Sequence, residues 1–195
     1  MPRLLKTENT LRFLTIPGGG GSPSNHWQSY WENDCSTMER VYQEDWDTPA
    51  KSDWVATLDS VIRRSEKPTI LVAHSVGCIA VIHWTAVLAS QVIGIFLVAP
   101  ADVEAEWAEP PAPYASFRSI PLSKLHIPSL VVASSNDPYL SLSRAKLLSE
   151  AWGSDLKVLG ECGHIGSESH LGQWQEGIDL LDGFSVHCLE VSKIR

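Results

Sequence analysis

The 195-residue chain predicts an α/β fold: a doubly wound, mostly parallel sheet of about six strands with helices on both faces. Three observations predict it. Short runs of β-branched and apolar residues alternate with segments of helical spacing, the pattern of βαβ units. Two of those runs, residues 69–73 (TILVA) and 92–98 (VIGIFLV), are almost wholly apolar, as strands covered on both faces must be. The length and the 44% hydrophobic content suit one buried core rather than two. A single domain over residues 1–195 is therefore expected.

The elements follow in order. Residues 11–16 (LRFLTI) form a strand closed by Pro17 and four consecutive glycines. A helix comes next, capped by Ser24 or Asn25, with Trp27, Tyr30 and Trp31 along one face. Residues 38–42 make a weaker strand. Over residues 53–62, Trp54, Val55, Leu58 and Ile62 share a helical face, and that helix stops before Pro68. The strand 69–73 runs through His74-Ser75-Val76-Gly77 into residues 78–89, a helix apolar nearly all round and so buried against the sheet. Strands at 92–98 and 130–133 enclose a stretch containing Pro100, Pro110, Pro111, Pro113 and Pro121, too rich in proline for a long helix and read as a short irregular cap. A helix over 139–152, a strand over 156–159 and a closing helix over 173–181 complete the chain. No internal repeat is present.

Composition narrows the partners. A formal net charge of -8 repels nucleic acid and anionic membrane surfaces, which leaves small molecules. Residues 1–16 mix Arg3, Lys6 and Glu8 with short apolar runs, so neither a signal peptide nor a membrane span is expected and the protein is read as cytoplasmic. Cys35, Cys78, Cys162 and Cys188 form no C-x-x-C pair, which points to reduced thiols. The eight tryptophans scatter along the chain and are read as core or pocket filling.

In a doubly wound sheet, sites gather at the carboxyl ends of the strands. The loops after the first, third, fifth and sixth strands should then share one rim, and they carry the glycine cluster, Ser75, Asp137 and His164. Ser75-Val76-Gly77 is a weak motif alone. Its place between an apolar strand and an apolar helix is what a nucleophile elbow requires, and the small Ala73 and Gly77 allow the tight turn. That turn would expose the serine hydroxyl and aim the Val76 amide, at a helix N-terminus, toward a developing oxyanion. Gly19, in Pro17-Gly18-Gly19-Gly20-Gly21, is the candidate for a second donor, because backbone without side chains approaches a substrate closely. A phosphate loop is disfavoured there, since the glycines lack the spaced arrangement opening directly into a helix.

A serine nucleophile needs a base and a group that fixes the base's tautomer. Seven histidines compete. His74 adjoins Ser75, but the elbow should direct it elsewhere, and His83 falls inside the buried helix with a packing role. His164, in Glu161-Cys162-Gly163-His164-Ile165 after the last strand, stands where chain order places the base; His170 is the reserve. For the acid, Asp137 follows strand 130–133 and Asp102 follows strand 92–98. Asp137 is preferred because its loop should lie nearer the histidine loop.

The phrases DWDTP, LVAHSVGCIAVIHW, LVAPADVE, PSLVVASSNDPY, AWGSDL and CGHIGSESHLGQW together resemble the small YdeN-like serine hydrolases, related to retinoblastoma-binding protein nine. The resemblance runs from about Pro17 to Leu181. It implies a minimal α/β-hydrolase fold with nucleophile Ser75, acid Asp137 and base His164, and hydrolysis of small acyl esters without metal or organic cofactor. Three departures stand out. Ala73 replaces the first glycine of the general G-x-S-x-G elbow, Gly166 and His170-Leu171-Gly172 stand where the family usually has Asn and a later Gly-Leu-Gly, and the tail after Asp182 fits poorly. A looser loop around His164 is the expectation. The expected mechanism is acyl transfer through Ser75, with Val76 and Gly19 as oxyanion donors, and Trp107, Tyr114 and Phe117 either wall an acyl pocket or seal the core edge. A protein that kept the fold for binding or regulation while losing turnover is the alternative.

Overall fold

In the computed structural model, residues 5–7, 9–87, 90–106 and 113–194 are described. Six strands form one sheet: β1 (Arg12–Ile16), β2 (Met38–Arg40), β3 (Thr69–His74), β4 (Val92–Val98), β5 (Ser129–Ser134) and β6 (Asp155–Leu159). Their order is β2-β1-β3-β4-β5-β6 and every pairing is parallel. The helices are α1 (Trp27–Asp34), α2 (Lys51–Ile62), α3 (Val76–Trp84), α4 (Leu142–Trp152) and α5 (Gln175–Ser192).

Alternation along the strands divides the core. Leu14, Ile16, Leu71, Ala73, Ile95, Leu97, Val131 and Ala133 point to one face, under α2, α3 and α4. Phe13, Ile70, Val72, Phe96, Val98 and Val132 point to the other, under α1 and α5. The register Ile16↔Ala73↔Leu97↔Val131 lays one continuous apolar row across four strands. Because the sheet is covered on both sides, its central strands carry no polar face, which is why TILVA and VIGIFLV look featureless in sequence.

Boundaries shift where local pattern is a poor guide. α1 starts at Trp27 with His26 as its N-cap, the ring Nδ1 accepting the Gln28 N–H at 3.1 Å, rather than Ser24 or Asn25. α3 begins directly after Ser75 and ends at Trp84, while Ala89 lies outside the described residues. α4 opens at Leu142 behind the cap Ser141, three residues later than expected. The largest difference is α5, which continues to Ser192. The tail that fits the family poorly is thus helical, and Phe184 and Cys188 bury against the sheet. A Cβ on Gly94 of β4 would meet Cys188 Sγ at 2.5 Å and Ile70 Cδ1 at 2.7 Å, so glycine there lets α5 lie close to the strand. Among the described residues, no helix is long and apolar enough to cross a membrane.

The cap is short and irregular, with a single 3-10 turn described at Ala115–Phe117. Phe117 is fully buried edge-on to Trp54, with ring centroids 5.5 Å apart, so it seals the core. Trp107 lies outside the described residues. Trp27, Trp31, Trp54, Trp84 and Trp152 are fully buried, the filling role expected of them.

Candidate functional site

The sheet order sets β5 beside β6 and β3 near the point where the winding reverses. Loops from β1, β3, β5 and β6 therefore meet at one rim. Ser75 forms the junction of β3 and α3 with φ 57° and ψ -129°, a conformation that costs a non-glycine residue about 1–3 kcal/mol. Close packing enforces it. A Cβ on Gly77 would lie 2.4 Å from the carbonyl oxygens of Ile16 and Pro17, and one on Gly18 would lie 2.6 Å from Ser75 Cβ. The Ser75 N–H is held by the Val98 carbonyl at 3.1 Å, and its own carbonyl accepts from Cys78 at 3.0 Å.

The three predicted side chains come together. Ser75 Oγ lies 2.8 Å from His164 Nε2, and His164 Nδ1 lies 2.9 Å from both carboxylate oxygens of Asp137. The Asp137 side chain has no solvent exposure and the His164 side chain is 18% exposed. Asp137 Oδ1 also accepts the Tyr139 N–H at 2.8 Å, a local turn that orients the carboxylate. Tyr139 then packs edge-on against the imidazole, with centroids 4.8 Å apart. Of the rivals, Asp102 is paired with Arg144 at 3.2 Å. His83 reaches the Phe117 carbonyl at 3.1 Å from within α3, and His170 stands exposed at the end of a 3-10 turn.

The loop bearing His164 is tightly held, contrary to the expectation drawn from Gly166. The Cys162 N–H bonds Ser134 Oγ at 2.9 Å, the Gly163 N–H bonds Asn136 Oδ1 at 2.7 Å, and Trp27 Nε1–H bonds the Ile165 carbonyl at 2.8 Å. The end of β5 with its loop, and α1, thus hold this loop from two sides. Sequence reasoning missed these partners, and it missed Gly18, which rather than Gly19 packs against Ser75. Gly19 sits beneath the Tyr114 hydroxyl, so close that an added Cβ would fall 1.8 Å from that oxygen. Burial, Asp47 and Tyr139 push the Tyr114 pKa up, which keeps the hydroxyl protonated. Val76 begins α3, and the first amides of a helix have no intrahelical acceptor. A cleft of about 950 Å³ opens over the row, and its described lining includes Gly19, Val76, Tyr114 and Tyr139.

Two further histidines line this cleft. Desolvation by burial, with Arg40 and His164 adding to it, lowers the pKa of His26 to about 3, and burial likewise lowers that of His74. Both rings are neutral near pH 7. In the unfolded chain they take up protons below about 6.5, whereas the folded state refuses them. For His26, stability therefore falls as pH drops from about 6.5 toward 3, by about 1.4 kcal/mol per pH unit at most, and the burial of His74 acts in the same direction. His26→Asn keeps a capping oxygen without the titration. Its urea midpoint should fall less steeply between pH 7 and 4.5 than that of the parent, and parallel slopes would contradict the assignment.

The comparisons agree with this architecture. A family model described as serine hydrolase matches residues 13–183. A YdeN-like hydrolase from Pectobacterium atrosepticum SCRI1043 is 32% identical, with a TM-score of 0.84 over 94% of this chain and 95% of that one. The ydeN gene product of B. subtilis superposes with a TM-score of 0.68 at 20% identity, over 91% of this chain and 100% of its own. Est1E from Butyrivibrio proteoclasticus, with ferulic acid bound, shares the fold with a TM-score of 0.73 at 12% identity, over 97% and 92%. A search of curated proteins gave no match.

Proposed function

Since this chain belongs to the serine hydrolase family and is a YdeN-like α/β-hydrolase, we propose that it hydrolyses small acyl esters by a Ser75-His164-Asp137 relay. The observation that carries the reading is the hydrogen-bonded row from Ser75 Oγ through His164 to the buried Asp137 carboxylate. In the first step Ser75 Oγ attacks the ester carbonyl carbon as its proton passes to His164 Nε2. The oxyanion so formed takes hydrogen bonds from the Val76 amide and from the glycine segment, with Gly19 the assigned donor. The C–O bond to the alcohol then breaks, and His164 returns the proton to the departing oxygen. Water repeats the sequence on the acyl-enzyme and restores Ser75. Asp137 holds the imidazole in the tautomer with hydrogen on Nδ1 and stabilises the imidazolium.

The lining supports an uncharged substrate. Among the described residues of the cleft there is no lysine or arginine, while Glu161 and Glu168 stand at its edge. An activated ester bearing a carboxylate, such as mono-p-nitrophenyl succinate, should show kcat/KM at least about 10-fold below that of p-nitrophenyl acetate at low salt. The gap should narrow as salt screens the field. Equal values at low salt would remove charge from the account of specificity.

A fluorophosphonate probe tests the reading. It should label the parent on Ser75 and leave Ser75→Ala unlabelled. An unlabelled parent would transfer the case to the binding or regulatory reading, because an unactivated serine does not react.

A further inference from the structure

His74 precedes the nucleophile in the chain and bonds neither Ser75 nor the His164 ring among the described contacts. Its Nε2 lies 2.9 Å from the backbone carbonyl oxygen of His164. Adjacent residues of the elbow thus bond the same residue of a distant loop: residue 75 meets its ring, residue 74 its backbone. On the assumption that Ser75 and His164 react as proposed above, we infer that His74 is a positioning residue: its Nε2–H clamps the His164 carbonyl and so sets the imidazole against the Ser75 hydroxyl.

The loop needs such a clamp. Gly163 and Ile165 flank His164 with φ values of 56° and 50°, so the base sits between two residues in left-handed backbone, one of them β-branched and poorly suited to it. Backbone of that kind persists only where its surroundings over-determine it. Other bonds fix Cys162, Gly163 and Ile165. His74 fixes residue 164 itself.

The environment of His74 matches the role. The residue is 6% exposed and boxed by the rings of His26 at 4.8 Å, Trp27 at 6.1 Å and His164 at 5.0 Å, which leaves its ring little freedom. A Cβ on Gly166 would stand 3.5 Å from His74 Cε1, so the loop beyond the base also passes close to the imidazole. The acceptor is a carbonyl oxygen, which requires hydrogen on Nε2 and leaves Nδ1 unprotonated. Burial keeps the ring neutral. That matters for the reaction, because a second cation 5.0 Å from His164 would oppose the imidazolium formed in each step.

A matched pair of variants separates the bond from the bulk. His74→Gln places an amide N–H near the Nε2 position, and His74→Met has the same reach without a donor. With p-nitrophenyl acetate, His74→Met should lose about 10- to 100-fold in kcat, the scale of an ångström-sized misplacement, with KM within about twofold. His74→Gln should recover most of the loss. Equal kcat in both variants, whether at the parent's level or far below it, would overturn the inference. Heteronuclear NMR of the parent gives a reading that depends on no variant's folding. His74 should appear as the neutral Nε2–H tautomer with a coupling to the His164 carbonyl, and an Nδ1–H tautomer would overturn the clamp. Fluorophosphonate labelling keeps the two readings apart. A parent labelled on Ser75 whose His74→Met variant retains kcat refutes the clamp alone, whereas an unlabelled parent refutes both.

Discussion

Ser75→Ala is expected to lower kcat for p-nitrophenyl acetate by about 10⁴- to 10⁶-fold, the range seen when the nucleophile of a serine-histidine-aspartate system is removed. The fold should survive. The backbone bonds that shape the elbow, from the Ser75 N–H to Val98 and from Cys78 to the Ser75 carbonyl, need no hydroxyl, and alanine occupies the same left-handed backbone at comparable cost. The side chain's only hydrogen bond among those described goes to His164 Nε2. Activity and stability should therefore separate, with the melting temperature within a few degrees of the parent's. Calorimetry alongside a steady-state assay checks both halves. A variant that kept more than about a tenth of the parent's kcat would exclude Ser75 as nucleophile, because residual catalysis from binding and oxyanion donors alone is orders of magnitude smaller.

Asp137→Asn should lower kcat by about 10⁴-fold, and for a different reason. The carboxylate accepts the His164 Nδ1–H with both oxygens at 2.9 Å, which leaves Nε2 free to take the serine proton. An asparagine turned to donate toward Nδ1 moves the ring hydrogen to Nε2. The base then meets the hydroxyl with a proton where its lone pair should be. The amide oxygen can still accept the Tyr139 N–H that Asp137 Oδ1 holds, so the turn and the stability should be nearly unchanged. Asp102→Asn provides the contrast. It weakens the pair with Arg144 but leaves the Asp102 N–H on the Tyr139 carbonyl and touches neither Ser75 nor His164, so kcat should change by less than about threefold. Comparable losses in the two variants would undo the assignment of Asp137.

What could be read in advance depended on whether a residue's role is local. The strands over 69–73 and 92–98 declare themselves because burial on both faces removes polar alternation, and the structure places them at the centre of the sheet. The elbow is legible because Ala73 and Gly77 must be small within the same turn, and chain order places Asp137 and His164 in the right loops. The extent of α5 was visible in principle. Ile178, Leu181, Phe184 and Cys188 recur at helical spacing, but Gly183 and the β-branched Val186 and Val191 weaken the local preference, and packing on Gly94 decides the outcome.

Long-range contacts left no such mark. His26 caps α1 through a ring nitrogen, a role that residue preferences assign to Ser, Thr, Asp or Asn. The approach of Gly18 to Ser75 depends on β1 lying beside β3, and nothing in four consecutive glycines says which one bears on the nucleophile. The hold on the His164 loop is shared among Ser134, Asn136, Trp27 and His74, spread over more than a hundred residues of chain. A comparison at Gly166 alone suggests looseness. Only the assembled rim shows the opposite.

The decisive observation is where the acyl group resides during turnover. Acid quench of the enzyme in the first turnovers of p-nitrophenyl acetate, followed by peptide mass spectrometry, should find acetyl on Ser75, absent from Ser75→Ala and accumulated in His164→Ala only at trace level. Sustained turnover with the acetyl group on another side chain, or with Ser75→Ala hydrolysing at the parent's rate, would contradict the account.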